Sequence, residues 1–226
     1  MMYWERTSQL PKISSCQEIL LVYGTFNPED LESMSRILTP EELNFAGKLK
    51  HQDQRNTWIS CHVTLRSMLG EFLEMDPQNI IFQKNRFGRS YLQDSNLFFN
   101  ISHTNSSFLM GYNKGGKIGV DLENLSGDED IPSLIDYAFS GAETEYCRNA
   151  VELSVRFLEL WTLKEAFLKY SGIGLTDFLK PINVYGSELN ELIYNKLNYS
   201  TFICPGNETG SVVYSNNPSL SCIWLC

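Results

Sequence analysis

The sequence predicts an α+β protein of two similar lobes, each with helices beside a small antiparallel sheet. Three observations lead there. Short apolar or alternating runs bounded by turn residues recur in both halves of the chain, as strands require. Two longer stretches, near 56–75 and 154–170, carry apolar residues at helical spacing instead. With 226 residues, 42% of them hydrophobic and 20% charged, the chain can bury one large core or two small ones.

In order, Glu18–Phe26 (EILLVYGTF) reads as a buried strand closed by the turn-forming Asn27-Pro28. Thr39-Pro40-Glu41-Glu42 reads as a helix start, with a capping threonine, proline at the first helical position and early acids. Between Asn56 and Met75, Trp58, Ile59, Leu65, Met68, Leu69, Phe72 and Leu73 recur at helical spacing, and Asp76-Pro77 is expected to end that helix. Strands are expected at Ile80–Gln83, Ser90–Leu92, Leu97–Ser102, Ser107–Tyr112 and Lys117–Glu123, with turns at Asn85–Arg89 and Asn113–Gly116. Ser126–Asp130 reads as a solvated acidic loop. Short helices follow at Ser133–Ala138 and Ala142–Asn149, then a regular helix from Ser154 to Tyr170 stopped by Ser171-Gly172. Strands return at Ile182–Tyr185, Ser200–Ile203, Ser211–Tyr214 and Leu220–Leu225. The join between lobes is placed near Asn113–Lys117, giving an N-terminal lobe of residues 1–114 and a C-terminal lobe of 115–226.

Composition excludes several classes. A formal charge of −9 argues against nucleic acid as a partner, because phosphate binding needs a basic face. The same charge means that an anionic substrate must be held locally, by a metal or by a few placed cations. No apolar run approaches the roughly 20 residues needed to cross a bilayer, so no membrane association is expected. The start, MMYWERTSQLPKISS, lacks the basic and apolar regions of an export signal, so a cytoplasmic location is expected. Six scattered cysteines without a C-x-x-C pair suit reduced thiols, and three histidines without finger-like spacing argue against structural zinc.

Four stretches could carry chemistry. In Gly119-Val120-Asp121-Leu122-Glu123, strand alternation turns Asp121 and Glu123 to one side while Val120 and Leu122 enter the core. Paired carboxylates suit Mg²⁺, which takes one or two acids and completes its shell with water and phosphate oxygens. The plain alternative is a strand end with two solvated acids. In Trp161-Thr162-Leu163-Lys164-Glu165-Ala166-Phe167-Leu168-Lys169, residues 161, 165 and 169 share one helical face. Glu165 and Lys169 could form a surface pair worth only about 0.3–0.5 kcal/mol, or could complete a metal and phosphate site. Asn100-Ile101-Ser102-His103-Thr104 puts a histidine among hydroxyls after an apolar strand, which suits either a structural hydrogen bond or contact with a diphosphate. Asn85-Arg86-Phe87-Gly88-Arg89 marks a tight turn presenting Arg89, whose guanidinium could grip phosphate through two donors.

Together and in this order, GVDLE at 119–123, WTLKEAFLK at 161–169, NISHT at 100–104 and FGRSYL at 87–92 resemble the 4′-phosphopantetheinyl transferases of the single-chain, two-lobed (surfactin) type. The family's hallmarks are G-[IV]-D-[IVL]-E and, some forty residues on, W-x-x-K-E-[AS]-x-x-K. The likeness covers about residues 39–185. It implies two pseudo-symmetric lobes with coenzyme A bound in the cleft between them. It implies that Asp121, Glu123 and Glu165 hold Mg²⁺, and that Lys169 and His103 contact the diphosphate with Ser102 nearby. Arg89 would stand for the basic residue near the nucleotide's phosphates, and Arg55 for the arginine at the start of the long helix, also near the nucleotide and so part of the coenzyme A site. The implied reaction moves phosphopantetheine from coenzyme A to a serine of an apo acyl or peptidyl carrier protein and releases adenosine 3′,5′-bisphosphate. Glu165 is the candidate base, with Glu143 as fallback, and a monomer is expected.

The family's pattern also has departures here. Glu42 and Phe45 occupy positions that are usually basic, with Lys48 or Lys50 as possible substitutes, and Ser90 replaces the usual proline. Two rivals share these residues: a Mg²⁺-dependent phosphohydrolase of coenzyme A-like diphosphates, and a non-catalytic module binding coenzyme A or a carrier protein.

Overall fold

The computed structural model describes residues 2–9, 18–26, 31–125, 129–172, 179–185, 197–215 and 219–225. The fold is α+β, built from three sheets with helices packed against them. The largest sheet has five strands, β1 (Glu5–Thr7), β2 (Glu18–Thr25), β5 (Leu97–His103), β6 (Ser107–Lys114) and β10 (Ser219–Leu225), in the order β1-β10-β2-β6-β5. A two-stranded hairpin pairs β3 (Phe82–Lys84) with β4 (Ser90–Leu92). The third sheet orders β7 (Ile118–Glu123), β9 (Thr209–Ser215) and β8 (Leu197–Ile203) as β7-β9-β8.

The helices are α1 (Leu31–Met34), α2 (Pro40–Lys48), α3 (Gln52–Leu73), α4 (Ile131–Ala138), α5 (Gly141–Arg148) and α6 (Leu153–Ser171). Helix α2 starts as its residues dictate: Thr39 Oγ1 accepts from the Glu42 amide, and the Glu42 carboxylate accepts from the Thr39 amide. Helix α6 stops at Gly172, which takes the left-handed conformation and donates its amide to the carbonyls of Leu168 and Lys169. Helix α3 ends at Leu73, three residues before Asp76, because Glu74 itself adopts the left-handed conformation and donates its amide to the Gly70 carbonyl. No helix among the described residues is long and apolar enough to cross a membrane.

Alternation along β2 sets the layering. Leu20 and Val22 join Cys61, Leu65, Met68 and Leu69 of α3 in one core cluster. Ile19, Leu21 and Tyr23 join Ile118, Val120 and Leu122 of β7 in a second. A third lies between α4, α5, α6 and Val213 of β9. The β7 sheet is therefore covered on one side by the large sheet and on the other by α6, and β2 is apolar on both faces because both are buried.

Two expectations are corrected. Strand β10 runs parallel to β2 and to β1, so the large sheet is mixed and not purely antiparallel. It pairs with β2 along its whole length, so this sheet draws strands from both ends of the chain. Ile182–Tyr185 forms no strand: the Val184 amide donates 2.7 Å to Glu143 Oε1 and the Ile182 amide to the Leu179 carbonyl, which leaves no ladder to join. Part of the acidic loop, 126–128, lies outside the described residues.

Candidate active site

The site begins with a glycine. A Cβ on Gly119 would lie 2.1 Å from the Ala166 carbonyl oxygen and 2.3 Å from the Tyr170 amide nitrogen. Only a glycine lets β7 approach the backbone of α6 this closely. The same approach sets Asp121 and Glu123, two and four residues on along the same strand face, against the helix that carries Glu165 and Lys169.

Asp121 and Glu165 are almost completely buried. Lys169 Nζ lies 2.6 Å from Asp121 Oδ1 and donates 2.8 Å to Ser102 Oγ, and that hydroxyl donates 2.9 Å to the same carboxylate oxygen. Ser102 comes from β5, so both halves of the chain meet here. Among the described residues, the buried Asp121 Oδ2 and Glu165 Oε1 have no hydrogen-bond partner. Burial, together with the nearby Asp121 charge, pushes both Glu123 and Glu165 up to about 7. The Trp161 side chain hydrogen-bonds Glu123 and partly offsets that rise, which gives the helix's tryptophan a contact with the site.

Three acids crowd one lysine. Among the described residues no three His, Cys, Asp or Glu side chains already converge as a metal cage. The donor set still suits a hard dication: two buried carboxylate oxygens lack partners, and burial beside a like charge raises both Glu123 and Glu165. Among the described residues, the cation paired with Asp121 is the Lys169 ammonium.

His103 follows Ser102 at the end of β5. Its ring is exposed and its Nδ1 lies 3.3 Å from the Thr104 carbonyl. Desolvation and the Lys169 charge lower its pKa. A cleft of about 330 Å³ opens beside this group, lined among others by His62, Gly88, Asn100, Glu165 and Lys169. It adjoins a second cavity of about 580 Å³ walled by Phe45, Trp58 and Arg66, and both include His62 and Ser90. His62 stacks on Trp58 with ring centroids 3.6 Å apart, and burial lowers its pKa to about 4, so it is neutral near pH 7.

The structure does not bring every expected residue to this cleft in the expected role. Arg89 lines the cleft, but its guanidinium donates to the carbonyls of Lys169, Tyr170 (3.0 Å) and Ile118 (2.8 Å). Together with Asn85, which donates 2.9 Å to the Gly172 carbonyl, it clamps the C-terminal turn of α6. Arg55 donates to the carbonyls of Ala46 (3.2 Å) and Leu49 (2.9 Å), closing the end of α2. Glu143 is fully buried, pairs with Lys164 at 2.6 Å and accepts from the amides of Ser140 and Val184. The Lys164 ammonium also donates to the carbonyls of Ala138 and Leu179. That pair ties α5 to α6 and has no route to solvent.

Two supporting residues were missed from sequence. Asn100 Oδ1 accepts 2.8 Å from the Val120 amide, fixing β7 against β5. Glu208, in the β8–β9 turn, makes three hydrogen bonds to the first half of the chain. Asn100 stood in a motif already singled out, but nothing in the local sequence marks Glu208.

Residues 117–201, which include Asp121, Glu123, Glu165 and Lys169, match the model of the 4′-phosphopantetheinyl transferase superfamily. Over that stretch the chain is similar to the superfamily. Among similar proteins, the 4′-phosphopantetheinyl transferase HetI of Nostoc sp. is 32% identical over 151 residues, covering 64% of this chain and 64% of that protein. The 4′-phosphopantetheinyl transferase gsp of Aneurinibacillus migulanus is 30% identical over 145 residues, with coverage of 59% and 58%. The 4′-phosphopantetheinyl transferase Sfp of Bacillus subtilis is 25% identical over 183 residues, with coverage of 75% and 77%. The chain therefore spans less than two thirds of HetI and gsp. Within the matched stretch, Asp121, Glu165 and Lys169 lie together beside a cleft.

Proposed function

We propose that this chain transfers the phosphopantetheine arm of coenzyme A to a serine hydroxyl of an acyl or peptidyl carrier protein, releasing adenosine 3′,5′-bisphosphate. The observation that carries this reading is the meeting of Asp121, Glu123, Glu165 and Lys169, from β7 and α6, inside the segment that matches the superfamily.

Asp121, Glu123 and Glu165 would hold Mg²⁺, through oxygens that include the two now without partners. Bound there, the ion would neutralise phosphate charge and reduce the repulsion facing a hydroxyl nucleophile. Glu165, which lines the cleft, would take the serine proton directly or through a water. Lys169 would leave Asp121 in part and donate to the oxygen that departs with the nucleotide. Ser102 keeps the lysine aimed, and His103 offers a donor at the cleft's rim. Arg89 and Arg55 support this site by holding the ends of α6 and α2.

One chain supplies the whole group, which supports action as a monomer. The buried free thiols Cys61, Cys147, Cys204 and Cys222 suit a reducing, cytoplasmic setting. With a net charge of −9, neither nucleic acid nor an acidic surface is proposed as a partner, and a carrier protein would dock through a local patch.

Intact-mass measurement of an apo carrier protein incubated with the enzyme, coenzyme A and Mg²⁺ tests the reading. Addition of one phosphopantetheine unit to a serine supports it. Cleavage of coenzyme A with an unmodified carrier would show a hydrolase, and no reaction at all a binding module.

A further inference from the structure

Glu208 is a buried carboxylate that forms no ion pair among the described residues. It is 2% exposed, and its two oxygens accept from three hydroxyls of the first half of the chain. Tyr23 Oη donates 2.8 Å to Oε2, Thr104 Oγ1 donates 2.9 Å to Oε1, and Ser107 Oγ also donates to Oε1. Burying an uncompensated carboxylate is costly, so three well-directed donors mark a built contact and not an incidental one. The turn that carries Glu208 is shaped to reach it. Asn207 adopts a left-handed φ of 65°, and a Cβ on Gly206 would lie 2.1 Å from Tyr23 Oη.

What Glu208 joins gives the contact its meaning. Thr104 and Ser107 close the β5–β6 turn: the Thr104 amide donates 2.9 Å to the Ser107 carbonyl, and the Ser107 amide donates 3.2 Å to Thr104 Oγ1. His103 is the residue immediately before that turn. On the other side, Thr209, next to Glu208, is the β9 register partner of Glu123. Glu208 therefore bridges the end of the strand bearing His103 to the end of the strand bearing Glu123. The inner end of the same seam is tied separately, by Ser102 to Asp121 and Lys169.

We propose that Glu208 is a positioning residue, fixing the separation of His103 from the Glu123–Glu165 carboxylates across the boundary between the two halves of the chain. It acts through Thr104 and Ser107 and touches no substrate. This rests on the transferase reading in so far as substrate kinetics are used to detect it.

The test uses the full chain as wild type, Glu208→Ala and Glu208→Gln, with two readouts. One is the KM for coenzyme A, alongside kcat, in the carrier-modification assay. The other is the imidazole NMR signal of His103, resolvable in a chain with three histidines. Glu208→Ala is expected to raise the KM by at least about ten-fold and to move the His103 signal, since small displacements at a reacting centre are expensive. Glu208→Gln, which keeps the shape and one acceptor oxygen, should fall between. A folded Glu208→Ala protein with lowered thermal stability but an unchanged KM and His103 signal would overturn the proposal. If the alanine variant does not fold, the same two values unchanged in Glu208→Gln would overturn it. If the wild type modifies no carrier, the transferase reading fails, and the His103 signal alone decides the positioning role.

Discussion

Lys169 Nζ and Asp121 Oδ1 stand 2.6 Å apart, joining the last turns of α6 to the middle of β7. The same ammonium also meets Ser102 from the other half of the chain. The lysine thus sits where strand, helix and second sheet converge, with two other acids close by. Removing a carboxylate from this group should stop the reaction without unfolding the protein. Asp121→Asn and Glu165→Gln are each expected to lower carrier modification by roughly 10²–10³-fold, with unchanged circular dichroism. A transfer assay on the purified variants checks this, and normal activity in either would remove that side chain from the site.

The raised carboxyls give stability a particular pH dependence. Burial, with the Asp121 charge, moves Glu123 and Glu165 from the ordinary 4.5 to about 7 in the folded protein. The folded state therefore binds protons that the unfolded state has released. The contribution is fully present below about pH 4.5 and is lost as pH rises through 7. Metal-free protein should show this loss as a falling Tm between pH 5 and 7.5, after allowance for other groups. Millimolar Mg²⁺ should recover several degrees at pH 7.5 and little at pH 5, where protons compete with it. Thermal scans with chelator and with Mg²⁺ across that range make the comparison.

Lys164 and Glu143 form a fully buried pair, and their removal should be a stability effect. Taking away one partner strands the other charge in the core, at a cost of about 3–5 kcal/mol. Glu143→Gln keeps hydrogen-bonding capacity and should lose less. Its kcat per folded molecule should remain near wild type, as measured by active-fraction-corrected kinetics beside denaturant melts. A Glu143→Gln protein that is fully folded yet inactive would restore this residue as a base.

Gly119→Ala should be severe for so small a change. The added methyl would meet the backbone of α6 at Ala166 and Tyr170, which cannot move aside as a side chain could. We expect a loss of about 3 kcal/mol or failure to fold, read by urea denaturation. Gly141→Ala, with nothing within 4 Å of its Cβ position, is the matched control and should stay within about 1 kcal/mol of wild type.

Much of this fold was legible because its signals are local. The capping box at Thr39–Glu42, the apolar β2 run and the Ser171-Gly172 stop are each decided by neighbouring residues, and each formed where expected. The D-x-E alternation likewise predicted that Asp121 and Glu123 share a side. Long-range pairing was not legible. Nothing near Ser219–Leu225 says that this strand joins β2, some 200 residues earlier. The same limit explains the arginines. Arg89 and Arg55 carry the right charge for phosphate, but their partners are carbonyls brought close only by the folded helix ends. Glu208 was invisible for that reason too, since its three donors lie at residues 23, 104 and 107.

The most direct test of the shared-cation site is Mn²⁺ titration followed by electron paramagnetic resonance, in the presence of coenzyme A, for wild type, Asp121→Asn and Glu165→Gln. One Mn²⁺ bound per wild-type chain, displaced by Mg²⁺ and weakened at least about ten-fold in both variants, is the predicted result. Binding that is absent from the wild type, or unchanged in both variants, would contradict a cation held between β7 and α6.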